Sequence, residues 1–150
     1  MMNATDSGPV LSIRRVIKAR RERVFKAWTT PELVSQWWRG NPDFVSGKCE
    51  IDLRVNGSYS MCMHHKIKGT DHIAVGTFLE VVIPERLVYT FNWTNRPGIN
   101  MRVQVEFIER GAETELILTQ TGFVDEKDRD NHQGGWTNCI NNFEVVCLEK

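Results

Sequence analysis

Arg23-Val24-Phe25-Lys26-Ala27-Trp28-Thr29-Thr30-Pro31-Glu32-Leu33-Val34-Ser35-Gln36-Trp37-Trp38 compresses one short amphipathic helix, a helix start, and a second short helix ending on a Trp pair. Val24, Phe25 and Trp28 recur at i, i+1 and i+4, which makes a single apolar stripe. Pro31 suits the first position of the second helix, where a missing N–H costs nothing, and Thr30 suits its N-cap. Leu33, Val34, Trp37 and Trp38 then repeat the spacing.

On either side the period is two. Val10 to Lys18 alternates and reads as an opening strand. Asn41-Pro42 turns the chain into a strand from Phe44 to Leu53, which Asn56-Gly57 closes with a strong hairpin signal. Ser58 to Lys68 places Tyr59, Met61, Met63 and His65 on one face and Ser60, Cys62 and His64 on the other. In the strand from His72 to Ile83, residues Ile73, Val75, Thr77, Leu79 and Val81 share a face. Leu87, Tyr89, Phe91 and Trp93 alternate with Val88, Thr90 and Asn92, the cleanest strand in the chain. Asn95-Arg96-Pro97-Gly98 breaks it, Met101, Val103, Val105 and Phe107 follow, and a last strand runs from Glu113 to Gln120.

From Asp125 the period changes to that of a helix. His132, Trp136, Cys139, Ile140, Phe143 and Cys147 fall on one stripe. Asp125, Glu126, Asp128 and Asp130 crowd its first turns, where the helix dipole favours negative charge. Gly134-Gly135 costs about 1 kcal/mol per glycine inside a helix. The pair marks either a close approach to another element, a local irregularity, or plain tolerance.

This element order is an α+β design in which only the last helix is long enough to cover the antiparallel sheet. The Thr30-Pro31-Glu32 to Trp37-Trp38 segment and the late Gly135-Trp136 pair resemble the START-like helix-grip superfamily. Within it, the resemblance is to the family related to the C-terminal domain of the activator of the ninety-kilodalton heat-shock ATPase. It covers nearly the whole chain from Leu11 onward. It implies a curved antiparallel sheet wrapped around a long C-terminal helix, with a ligand cavity between them. Residues 1–9 read as a tail and residues 10–150 as one domain. Relatives often carry a His where this chain has Gln120, a departure that weakens any His-based catalysis the resemblance implies.

Composition narrows the function classes. Apolar residues at 41% and charged residues at 25% fit an ordinary globular domain. Nineteen basic and nineteen acidic side chains cancel, so no global field favours nucleic acid or an anionic membrane. From Arg14 to Lys26, basic residues outnumber the single Glu22, which is either a solvated face or a dock for an acidic protein partner. Cys49, Cys62, Cys139 and Cys147 show no paired spacing and read as thiols of a reducing compartment. No signal peptide is visible, and the longest purely apolar run is Val81-Val82-Ile83, too short for a membrane span. The expectation is a cytoplasmic protein.

The aromatic side chains suit a pocket for a flat or greasy ligand. Its walls are expected from Trp38, Trp93, Phe123, Trp136 and Ile140, with Met61, Met63 and Met101 letting the shape adapt. His65 is the candidate polar group inside, and the weak candidate for a general base. His132, four residues before Trp136, is expected at the rim. Cys62 and His64 share a strand face, but zinc wants three or four ligands and no second pair converges, so no metal is expected. Phosphate-loop, nucleophile-elbow, dinucleotide and zinc-helix motifs are absent, and no cofactor is expected.

Three functions compete. The leading one is a non-catalytic carrier or sensor of a small hydrophobic, aromatic or amphipathic ligand. Side chains filling the space between sheet and helix would count against it. The second is a cyclase- or dehydratase-like enzyme in the same cavity, using His65. The third is a co-chaperone-like interaction domain acting through the Arg14–Lys26 patch. A free sheet edge or apolar patch also leaves room for a homodimer.

Overall fold

Five consecutive hairpins, each set by its own turn, account for most of the architecture. The computed structural model describes residues 8–149; of the tail read over residues 1–9, all but Gly8 and Pro9 lies outside the described residues. Strands β1 (Leu11–Ile17), β2 (Phe44–Ile51), β3 (Ser58–His65), β4 (Asp71–Val82), β5 (Arg86–Trp93), β6 (Met101–Arg110) and β7 (Glu113–Thr121) form one antiparallel sheet. Its order is β1-β7-β6-β5-β4-β3-β2, so only β1 is placed by a long-range pairing, with β7. The β1–β2 crossover carries α1 (Arg21–Thr29) and α2 (Pro31–Val34). Helix α3 (Glu126–Leu148) lies in the curl of the sheet, which completes the helix-grip fold.

Local chemistry explains the boundaries. Asn56 sits at φ 70°, and a Cβ on the following Gly57 would collide with the Asp52 carbonyl, so the hairpin needs its Asn-Gly pair. Asp125 caps α3 by accepting the Asp128 N–H at 2.8 Å. Thr30 is the N-cap of α2 and Pro31 its first residue, but the Thr30 side chain makes no capping bond. The helix is also shorter than the sequence suggests. It ends at Val34, and the Trp pair is carried on the tight turns that follow, with the Trp37 and Trp38 N–H groups both bonded to the Val34 carbonyl.

One face assignment fails. A register shift between Phe78 and Glu80 breaks the alternation of β4. Ala74 and Phe78 are the buried residues, Val81 packs on the core after the shift, and Leu79 is left 42% exposed. Ile73, Val75, Thr77, Leu79 and Val81 therefore do not share one face. Elsewhere the period-two reading holds, with Leu87, Tyr89, Phe91, Val103, Val105 and Phe107 all buried beneath α3 and α1.

The helix meets the sheet through a polar contact inside this apolar core. Gln120 on β7 is fully buried; its Oε1 accepts the Trp136 indole N–H at 2.6 Å and its Nε2 donates to Met101 Sδ at 3.3 Å. One amide thus ties α3, β6 and β7 together. Gln120→Leu keeps the volume but strands the indole N–H, and a stranded buried donor costs about 1–3 kcal/mol. Urea unfolding should show a loss of that size. Gln120→Leu/Trp136→Phe, where no donor is stranded, should lose less stability than the sum of the losses in the two single variants.

Candidate functional site

The stretch that decides the fold also fills half of its interior. Trp37 donates to the Ala27 carbonyl at 2.9 Å, which locks the Trp pair under α1. The Trp28 ring lies 4.7 Å from Trp37, 5.0 Å from Phe143 and 5.8 Å from Trp136, the last nearly parallel at 13°. Trp37 meets Phe143 edge-on at 5.1 Å. Such pairs add about 0.5–1.5 kcal/mol each beyond area burial, so this knot is a rigid plug. Between Trp28, Tyr59 and Tyr89 a void of about 20 Å³ is left, room for a single water. Burial pushes the Tyr59 and Tyr89 phenols well above their ordinary range, so both stay neutral. Behind this plug the indoles occupy much of the space between sheet and helix in which the resemblance implies a cavity.

In front of the plug the space stays open. A cleft of about 730 Å³ runs between the loop after Trp38, the ends of β3 to β5, and the first half of α3. Its floor is Trp38, Phe91, Trp93 and Trp136, with Trp38 and Trp93 stacked at 6.2 Å and 22°. Phe44, Met63 and His72 wall one side, and Asn95 and Arg96 the other. Trp38 is 2% exposed, and its indole N–H has no acceptor among the described residues.

The glycine pair belongs to this cleft. A Cβ on Gly134 or Gly135 would meet nothing within 4 Å, so neither close packing nor a break in α3 explains them. Both line the cleft, flanked by Asn131 and Asn138. Positions 131, 134, 135 and 138 form an i, i+3, i+4, i+7 stripe of amides and glycines beside the apolar one. The missing side chains leave the cleft its width.

A chain of hydrogen bonds fixes the rim. Trp93 Nε1 donates to His132 Nε2 at 2.9 Å, which makes that nitrogen an acceptor and puts the ring proton on Nδ1, 2.8 Å from the Asp128 carbonyl. Both nitrogens of His132 are therefore engaged. Asp128 takes a bidentate pair from Arg96 at 2.9 and 3.3 Å and the Val124 N–H at 3.1 Å. Partial burial pushes the Asp128 carboxyl up, but the bonds from Arg96 and the Val124 N–H, with the charge of Arg96, outweigh it and hold the group below its ordinary value. Cys139 accepts the Gly40 N–H at 3.3 Å, and burial pushes its thiol up to about 11, so it is no nucleophile at neutral pH.

Of the residues expected at the site, Trp38, Met63, Trp93, His132 and Trp136 converge on the cleft. The other five lie elsewhere. Met61 borders the small void, and Met101 sits under Gln120. Phe123 packs on the His132 ring at 5.2 Å, and Ile140 is wholly buried in the core. His65 ends β3 outside the cleft, its Nδ1 accepting the Lys68 N–H at 3.1 Å and its ring 4.8 Å from Phe44. His64 bonds Asp71 at 2.7 Å, and no group of three metal-binding side chains occurs among the described residues. The sequence reading passed over Phe44, Phe91 and the cleft's asparagines. The Asn131-to-Asn138 stripe was the signal available for the last.

The lowered pKa of Asp128 has a definite sign. A carboxyl depressed in the folded chain stabilises it above the ordinary value of 3.8, and that contribution is lost as pH falls through the lower folded value. Asp128→Asn should cost about 1–2 kcal/mol at pH 7, and the gap to the parent should close below about pH 4, read from thermal melts across pH.

With this geometry in view, the comparisons are consistent. The family model described as Activator of Hsp90 ATPase homolog 1-like protein matches residues 18–147. The crystal structure of a protein from Chromobacterium violaceum superposes with a TM-score of 0.83 at 25% identity, covering 94% of this chain and 99% of that one. The solution structure of the AHSA1-like protein from Aeromonas hydrophila gives 0.76 at 24% identity, over 92% and 91%. A protein from Arthrobacter aurescens gives 0.79 at 18%, over 94% and 87%. None of the curated proteins matches the sequence. Among the described residues no helix is long and apolar enough to cross a membrane. A match over residues 18–147 and the shared helix-grip architecture place the chain in the family of Activator of Hsp90 ATPase homolog 1-like proteins.

Proposed function

We propose that the cleft holds a small apolar or amphipathic ring-bearing molecule without transforming it, in the manner of a carrier or sensor. The observation that carries this reading is an opening of about 730 Å³ bordered by the half-buried Trp93, with Trp38, Phe91 and Trp136, each 1–3% exposed, packed behind it. That volume lies within the range of about 300–1,000 Å³ typical of small-molecule sites, and aromatic floors supply most of the contact energy in such sites. The filled rear half confines the reading to the cleft.

Holding fits the chemistry at hand better than turnover. Proton transfer needs a free base and covalent catalysis an activated nucleophile. Both His132 nitrogens are spoken for, Cys139 is protonated, His65 borders the adjoining opening, and His72 on the wall bonds Thr70 through Nε2 with no hydrogen-bonded carboxylate among the described residues to orient it. The co-chaperone reading that the family name suggests rests on the basic patch, where Arg14 and Arg15 are matched by acids but Lys18, Arg20, Arg23 and Lys26 make no ion pair among the described residues. Arg14 and Arg110 both pair with Glu115, at 2.8 and 2.6 Å, and Arg15 pairs with Glu144 at 3.0 Å.

Gly135→Leu tests the proposal without weakening the helix, since leucine is the better helix former. Aminoanthracene, a neutral fluorescent ring, should bind the parent protein and quench its tryptophan emission. In Gly135→Leu the affinity should fall about tenfold or more, near 1.4 kcal/mol, with far-ultraviolet dichroism unchanged. Equal affinity in a folded variant would remove the cleft as the binding site.

A further inference from the structure

The polar groups around the cleft carry information about its ligand that the aromatic floor does not. Each charged side chain of the lining is already matched within the protein: Arg96 with Asp128 at 2.9 Å, and Asp130 with Arg129 at 3.0 Å. His132 has both nitrogens engaged, and His72 Nε2 lies 3.2 Å from Thr70 Oγ1. What is left open is neutral. The side-chain amides of Asn95, Asn131 and Asn138 line the cleft, and none of the hydrogen bonds among the described residues uses them. Below them the buried Trp38 N–H lacks an acceptor.

From this we infer that the cleft selects an uncharged ring compound carrying several hydroxyl groups, the chemistry of a neutral glycoside. The inference rests on the cleft-binding reading above and names its ligand class. A charged ligand would bring its charge against ions that already have partners, and would lose its hydration for no compensating bond. A bare hydrocarbon would cover the amides and leave them unpaired, at about 1–3 kcal/mol for each group fully buried. A hydroxylated ring meets both demands. Each asparagine offers two donors and an acceptor, which suit adjacent hydroxyls that donate and accept at once. The C–H face of a sugar ring is slightly positive and sits well on the negative face of an indole.

Calorimetry with naphthyl β-D-glucoside, naphthyl β-D-galactoside, naphthyl β-D-glucuronide and free naphthol tests this. At least one neutral glycoside should bind about tenfold more tightly than both the glucuronide and naphthol. Asn131→Ala/Asn138→Ala should bring that glycoside down to the affinity of naphthol, whereas aminoanthracene, for which covering the amides is a cost, should bind no more weakly than to the parent. If naphthol or the glucuronide binds as tightly as the glycosides, the inference falls while the cleft-binding reading stands. The same holds if aminoanthracene binds and no naphthyl compound does. If neither binds in the cleft, both readings fall.

Discussion

The Trp136 indole bonded to the Gln120 side chain fixes where the long helix sits over the sheet, and most other features follow from that height. A buried amide has no partner in an apolar core except the one placed for it, so the contact specifies register as well as adding stability. With Trp136 pinned, Trp28 stacks on it from α1, Trp38 meets it edge-on at 5.3 Å, and Phe143 closes the rear. Helix and sheet cannot approach more closely in front of this knot, and the cleft is the space they leave.

Much of this was legible in the chain. The two short helices after β1, most of the period-two strands and the 3.6-period stripe from His132 to Cys147 each rest on local spacing and have their counterparts in the fold, while the Trp pair falls on the turns just past α2. The failures are equally physical. A register shift in β4 depends on the strand beside it, so Leu79 and Val81 gave no sign of parting company. His65 has the right parity for the interior, but β3 ends there and the ring turns to Phe44. Large aromatics announce burial, yet burial as plug and burial as floor look alike until the partners are known. Trp28 and Trp38, ten residues apart, took opposite roles.

The glycine pair shows how a local cost reads differently once placed. Two glycines inside a helix cost stability, and here no neighbour demands them. They keep α3 narrow where it borders the cleft, beside the two asparagines of the same stripe. At the rim Arg96 is matched by Asp128, while Asp130, its side chain 65% exposed, has only its sequence neighbour Arg129 as partner. Both features act on the same space, which is why the account centres there and not on the basic segment of β1 and α1.

Indole N–H resonances offer the most direct measurement, because the chain has five tryptophans divided between plug and cleft. Titrating the nitrogen-labelled protein with aminoanthracene should shift the Trp38 and Trp93 indole signals first and most, with those of Trp28 and Trp37 nearly still. Trp136, which touches both regions, should move by an intermediate amount. Shifts centred on Trp28 and Trp37, or none at saturating ligand, would contradict the assignment of the cleft as the binding site.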